Sequence, residues 1–286
     1  MIHSMTGYGK SVTQLPTKKI SIEIKSLNSK SLDLNTRMPS MYREKELGIR
    51  KLIASKLVRG KVDFSLYIEV TGEETSSKIN KTLVKQYIKQ LKDVINTGDE
   101  TEYLKMAVRM PDALTTEREE IDENEWSEIA KVIDSSLEKI IQYRLDEGAT
   151  LEADFDGRVQ TIANLLNDVI AMDPDRIEGV RERLIKGVAD IKEKVDENRF
   201  EQELVYYIEK FDITEEKVRL ENHLEYFQKA LKSDDSNGKK LGFISQEMGR
   251  EINTIGSKSN HAPMQKLVVQ MKDELEKIKE QLLNVL

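Results

Sequence analysis

At 286 residues and 38% hydrophobic content, the chain can build two ordinary domains with real cores. It contains no cysteine, which excludes disulfides, thiolate metal sites and a cysteine nucleophile and fits a reducing, cytoplasmic setting. Its net charge of −7 is unevenly spread: residues 1–70 hold thirteen Lys/Arg against six acids, a net +7, which leaves −14 for the remaining 216.

The first ten residues lack a cationic stretch followed by an apolar run. No window reaches the ~18 uninterrupted apolar residues of a membrane span, so neither export nor a membrane is expected. Gly7 and Gly9 read as a tight turn, because the Lys and Ser/Thr spacing of a phosphate loop is missing. Over residues 18–25, Ile20, Ile22 and Ile24 alternate with polar neighbours and predict a half-buried strand. Residues 31–37 form a weaker strand. A helical stretch opens at Pro39-Ser40, carries Leu47, Leu52, Ile53 and Leu57, and ends at Arg59-Gly60. Val62, Phe64, Leu66, Ile68 and Val70 then alternate as a further strand.

Beyond Thr71 the period turns helical, first through Leu83, Tyr87, Ile88, Leu91, Val94 and Ile95, then through Trp126, Ile129, Ile133, Leu137, Ile140 and Ile141. After Gly148 one long helix follows another. Breaks are expected at Asp173-Pro174, at residues 233–240 and at residues 256–263, each rich in Gly, Pro, Ser, Asp or Asn. The fold class is α+β. An α+β domain, basic in residues 1–70, occupies residues 1–155, and a mostly α-helical domain with a long helical hairpin occupies residues 156–286.

The hairpin concentrates the chemistry. Residues 212–231 carry an apolar stripe of Ile213, Leu220, Leu224, Phe227 and Leu231, with His223 and Glu216 on its rim and Arg219 further round. Residues 241–255 carry Leu241, Ile244, Met248, Ile252 and Ile255, with Glu247 and Glu251 to one side. If residues 233–240 reverse the chain, both rims meet on one edge at similar height. Glutamates at i, i+4 repel by roughly 0.2–0.5 kcal/mol on an isolated helix, so a cation between Glu247 and Glu251 makes sense of the spacing. One imidazole and two carboxylates suit Mn²⁺, Mg²⁺ or Zn²⁺. Alternatively Arg219, Arg250 or a lysine neutralises both acids. His3 or His261 could instead serve a metal-free mechanism.

A segregated basic block is what a phosphate-binding surface needs, although lysines also simply solvate a face. Asn28, Arg37, Arg59 and Lys61 are the candidate phosphate contacts. Tyr8 is either a base-stacking residue or ordinary packing. Leu267, Met271, Leu275, Ile278, Leu282 and Val285 form the stripe of a last helix, packed within the chain or across a subunit interface.

The stretches MIHSMTGYGK, SLNSKSLDLNTRMP, RGKVDFSL, NRFEQELV and SQEMGREINTIGSKS together resemble the YicC/YloC family from the first residue to the last helix. The resemblance implies an N-terminal α+β domain, a helical C-terminal domain, a hexameric assembly and divalent-cation-dependent cleavage of single-stranded RNA, with Mn²⁺ or Mg²⁺ the expected ion. Under that reading His223, Glu247 and Glu251 hold the metal, and Glu216, Arg219 and Arg250 complete the catalytic surroundings. A non-catalytic RNA-binding adaptor that presents transcripts to another nuclease is the alternative from a different class.

Overall fold

The computed structural model describes residues 2–71, 78–95, 99–115, 121–190, 197–233 and 237–286. Strands β1 (Gly7–Gln14), β2 (Lys18–Leu27), β3 (Leu32–Arg37) and β4 (Gly60–Val70) form one sheet in the order β1-β2-β4-β3. All neighbours are antiparallel except β3 and β4. That parallel pair requires a crossover, which a 3-10 turn (Ser40–Lys45) and helix α1 (Glu46–Lys56) supply. The alternation in β2 and β4 sends Ile20, Ile22, Ile24, Val62, Phe64 and Leu66 to a single face. They bury there with Ile49 and Ile53 of α1 and with Ile129, Ile133, Leu137 and Ile140 of the long helix α4 (Glu123–Asp190).

Gly7 and Gly9 are not in a turn. They belong to β1, on the face that meets α4, where a Cβ at Gly7 would stand 2.7 Å from Ile140 Cγ1 and one at Gly9 2.2 Å from the Ser136 carbonyl. The missing side chains let the strand lie directly on the helix. Leu47 also departs from expectation: it is 73% exposed, and Tyr42 takes the buried place, hydrogen-bonded to Glu125. Among the described residues the opposite face of the sheet is exposed to half-buried.

A small satellite follows, in which β5 (Lys78–Ile79) pairs with β6 (Leu114–Thr115) around α2 (Lys81–Val94) and α3 (Glu100–Ala107). Helix α4 then runs through the expected break at Asp173-Pro174. Pro174 lies on the exposed side, where the carbonyl it leaves unbonded can face water. Beside it, the Asp173 carboxylate accepts from Arg176 at 2.8 Å and from Lys217 at 2.7 Å, pinning the helix on both sides of the proline. Gly148 interrupts nothing either, since α4 passes through it.

After α5 (Glu197–Phe211), three helices α6 (Thr214–Leu231), α7 (Gly238–Lys258) and α8 (Ala262–Leu282) join the second half of α4 in a four-helix bundle. Its core contains Phe155, Ile162, Leu224, Phe227, Met248, Ile252 and Met271. The stripe of α8 resolves inward: Met271, Leu275, Ile278, Leu282 and Val285 are buried in this core. Residue 155, the expected domain limit, falls within α4, which lays its first half on the sheet and its second half in the bundle. Among the described residues no helix is long and apolar enough to cross a membrane.

The two units are tied at one junction. Ile2 sits in the bundle core, Ser4 N donates to the Arg144 carbonyl at 3.0 Å, Met5 N to that of Asn284 at 2.8 Å and Leu286 N to that of His3 at 2.9 Å. Buried Arg144 spans the joint, donating to the carbonyls of Met5 and Arg59 at 3.1 and 3.3 Å and to Ser26 Oγ. No carboxylate pairs with it among the described residues, and burial lowers its affinity for the proton.

Candidate active site

Helix α6 begins where the Asp212 carboxylate accepts from Thr214 N at 2.9 Å and from its hydroxyl at 2.7 Å. These bonds draw Asp212 below the usual carboxylate range, the hydroxyl contributing most. The apolar stripes of α6 and α7 bury as the spacing predicts, which leaves a polar seam along one edge of the antiparallel pair. Two contacts define that seam. Near the α6 N-terminus, Glu216 Oε1 accepts from Lys258 Nζ at 2.7 Å, and nearer the turn the Lys240 ammonium lies 4.9 Å from the centre of the Tyr226 ring.

His223 follows Glu216 by seven residues on α6, and Glu251 precedes Lys258 by seven on α7. Two helical turns carry a residue back to nearly the same side, so His223 and Glu251 occupy the seam between its two observed contacts. Glu251 is only 8% exposed. Among the described residues its carboxylate has neither a hydrogen-bond donor nor a cation in reach. Its oxygens are not among the sealed, unpartnered polar atoms of the described residues, so they open to the surface, where solvent or a ligand can reach them.

Glu247 behaves differently. It pairs with Arg250 at 2.8 Å on a more exposed part of α7, while Arg219 pairs with Glu215. Arg219 and Arg250 are thus committed to other acids and do not neutralise Glu251. Among the described residues no three side chains of His, Asp or Glu come together closely enough to hold a metal ion. The expected convergence of His223, Glu247 and Glu251 is therefore not preformed among the described residues, where Glu247 pairs with Arg250. What remains is one partnerless carboxylate facing the seam with one imidazole. That donor set fits a hard divalent ion of the kind that takes one or two protein ligands and completes its shell with water and phosphate oxygens.

The other histidines lie outside α6 and α7. His3 lies in the domain junction, its imidazole held below the ordinary range by burial first, with Arg144 adding to the effect. His261 precedes α8, and its Nδ1 is buried without a hydrogen bond among the described residues.

In the first domain the candidates divide. Asn28 donates to the Leu283 carbonyl, and Arg59 contacts Met5 Sδ and the Val285 carbonyl, so both side chains hold the junction. Tyr8, Arg37 and Lys61 are exposed on the sheet face away from the core, which settles Tyr8 as a surface residue; the Lys25 ammonium stands 5.9 Å from its ring centre. Tyr226, Lys240 and Lys258 escaped the reading of the sequence. The signal was present in their spacing, three residues from His223 on α6 and seven residues from Glu251 on α7 for Tyr226 and Lys258.

Fold and seam together define a two-core α+β protein whose helical bundle presents a carboxylate and an imidazole between flanking lysines. Comparison with known families gives the match its name: residues 2–153 fit the family model described as Endoribonuclease YicC-like, N-terminal region, and residues 169–286 fit Endoribonuclease YicC-like, C-terminal. The chain belongs to the YicC-like endoribonuclease family. It is 34% identical to the probable endoribonuclease YicC of Clostridioides difficile over 292 aligned positions and 30% identical to that of Haemophilus influenzae over 287, each alignment covering 100% of both chains.

Proposed function

We propose that this chain is a divalent-cation-dependent endoribonuclease that cleaves single-stranded RNA in the cytoplasm as a homo-oligomer, a hexamer by family resemblance. The observation that carries the reading is Glu251: a largely buried residue whose carboxylate opens to the surface without a protein partner, on the edge to which helical rotation also assigns His223. Glu251 and His223 would hold a Mn²⁺ or Mg²⁺ ion, with Glu247 able to join if it leaves Arg250. When bound, such an ion polarises phosphoryl oxygens and makes water a better nucleophile. The chain's own cations complement it. Lys258 and Lys240 bracket the seam and attract the scissile phosphate, while Arg219 and Arg250 add charge on the rim. Tyr8, Arg37 and Lys61 on the open sheet face extend the path for the backbone, and Asn28 and Arg59 act mainly by fixing the joint between the two units.

The test is cleavage of a labelled single-stranded RNA by purified protein across a Mn²⁺ titration, with and without chelator, beside Glu251→Gln. Cleavage that requires the cation and vanishes in the variant supports the proposal. Full activity in excess chelator would replace it with a metal-free histidine mechanism, and tight binding without cleavage at any cation concentration with the adaptor.

A further inference from the structure

We infer that Tyr226 and Phe243, with Lys240 and Lys239, form a stacking subsite for unpaired nucleotides of RNA beside the α6–α7 seam, an inference that rests on the nuclease reading above. Both rings are large and open to solvent, Tyr226 at 48% and Phe243 at 57%. Neither packs on the bundle core. Each instead has an ammonium over one face, Lys240 at 4.9 Å from the Tyr226 ring centre and Lys239 at 5.9 Å from that of Phe243, which leaves the other face for a base. A ring with a cation over one face and its other face free matches a nucleotide, which has a π-face to stack and a phosphate to neutralise.

Position joins this pair to the reaction. Tyr226 stands one turn from His223 on α6, and Phe243 one turn from Lys240 on α7. An RNA strand with a phosphate in the seam therefore carries its neighbouring bases toward the two rings. Among the described residues the acids beside the rings are themselves paired, Glu225 with Lys229 and Glu247 with Arg250. A duplex could not use the rings, because its bases are already stacked and paired. The subsite would thus select single strands at the step of binding.

The experiment uses the full chain. Tyr226→Ala, Phe243→Ala and their combination are compared with Tyr226→Phe and Phe243→Tyr, which keep a ring. On the Glu251→Gln background, where cleavage does not intervene, affinity for a single-stranded oligonucleotide should fall about tenfold for each alanine and return with the ring-keeping variants. With Glu251 intact, KM should rise by a similar factor while kcat stays within about twofold. An oligonucleotide with abasic sites should bind all variants alike. Unchanged affinity in the double alanine variant overturns the subsite, and so does a loss of self-association with RNA affinity intact, which would make the patch a protein interface. If the parent chain binds RNA through these rings yet never cleaves it, the nuclease reading falls while the subsite stands.

Discussion

Glu216 and Lys258 meet at 2.7 Å across the α6–α7 seam, whereas Glu251, seven residues before Lys258 on the same helix, faces that seam without a cation. Two largely buried glutamates on one edge thus differ: the Glu216 carboxylate is held by an ammonium, and that of Glu251 opens to the surface without one. They should answer differently to substitution.

Glu216→Ala removes one member of a largely buried ion pair and leaves the ammonium uncompensated. We expect a loss of about 1–3 kcal/mol in urea denaturation, below the figure for a deep pair because the Lys258 side chain remains 32% exposed. An unchanged midpoint would show that water already screens the contact.

Glu251→Gln removes a charge that nothing in the chain balances. Stability should stay within about 1 kcal/mol of the parent or rise, while RNA cleavage falls roughly 10²–10⁴-fold. Near-normal cleavage would remove Glu251 from the active site.

Gly9→Ala tests the close approach of β1 to α4. A Cβ only 2.2 Å from the Ser136 carbonyl forces the strand and helix apart along a backbone contact that cannot yield by rotating a side chain. The cost should reach about 2 kcal/mol or more and lower the thermal midpoint. Gly157→Ala, where nothing lies within 4 Å, should be neutral or mildly stabilising and serves as the control.

Alanine at Arg37 and Lys61 together should weaken RNA binding and flatten the slope of log affinity against log salt by about 1.4, at roughly 0.7 per single-strand phosphate contact. A slope equal to the parent's would take the open sheet face out of the RNA path. Arg59→Ala, by contrast, should act chiefly on stability, because its side chain holds Met5 and Val285.

Glu274 sets an acid limit. Hydrogen bonding from Lys277, reinforced by Arg158 across to α4, holds its carboxyl below the ordinary value of 4.5. The folded chain therefore binds this proton less readily than the unfolded one. Its contribution to stability is complete above that ordinary value and drains away as the pH falls through the folded value. Thermal midpoints taken down the acid limb should decline less steeply in Glu274→Gln than in the parent; parallel curves would refute the assignment.

Strands β2 and β4 were legible because their inward positions are Ile, Val, Phe and Leu, whereas β1 was hidden because its inward positions are Gly7, Gly9 and Ser11. Small residues chosen for close contact erase the very alternation that marks a strand. The stripes of α6, α7 and α8 were readable for the same reason that β2 was. Pro174 misled because its cost depends on exposure, which sequence does not carry. In the site, helical rotation assigns His223 and Glu251 to one edge, and no bond between the two side chains is observed among the described residues. It could not foresee that Arg250 takes Glu247, since a choice between neighbouring counter-ions is decided by side-chain reach in three dimensions. Nor could it anticipate that Asn28 and Arg59 serve the junction, whose partners lie more than two hundred residues away.

The pairing of residues 3–5 with residues 284–286 has a consequence for how the chain folds. Helices and adjacent strands form from near neighbours, but the bond from Leu286 N to the His3 carbonyl and the bridge between Ser4 and Val285 join segments at the greatest separation the chain offers. Contacts of this kind require a large loop to close before they return any stabilisation. During synthesis the sheet can assemble early, but Ile2 must wait, apolar and uncovered, until the bundle's last residues have left the ribosome. Docking of the two halves is therefore expected late, and pulse-labelling hydrogen exchange should protect the Met5 and Leu286 amides after those of β2 and β4.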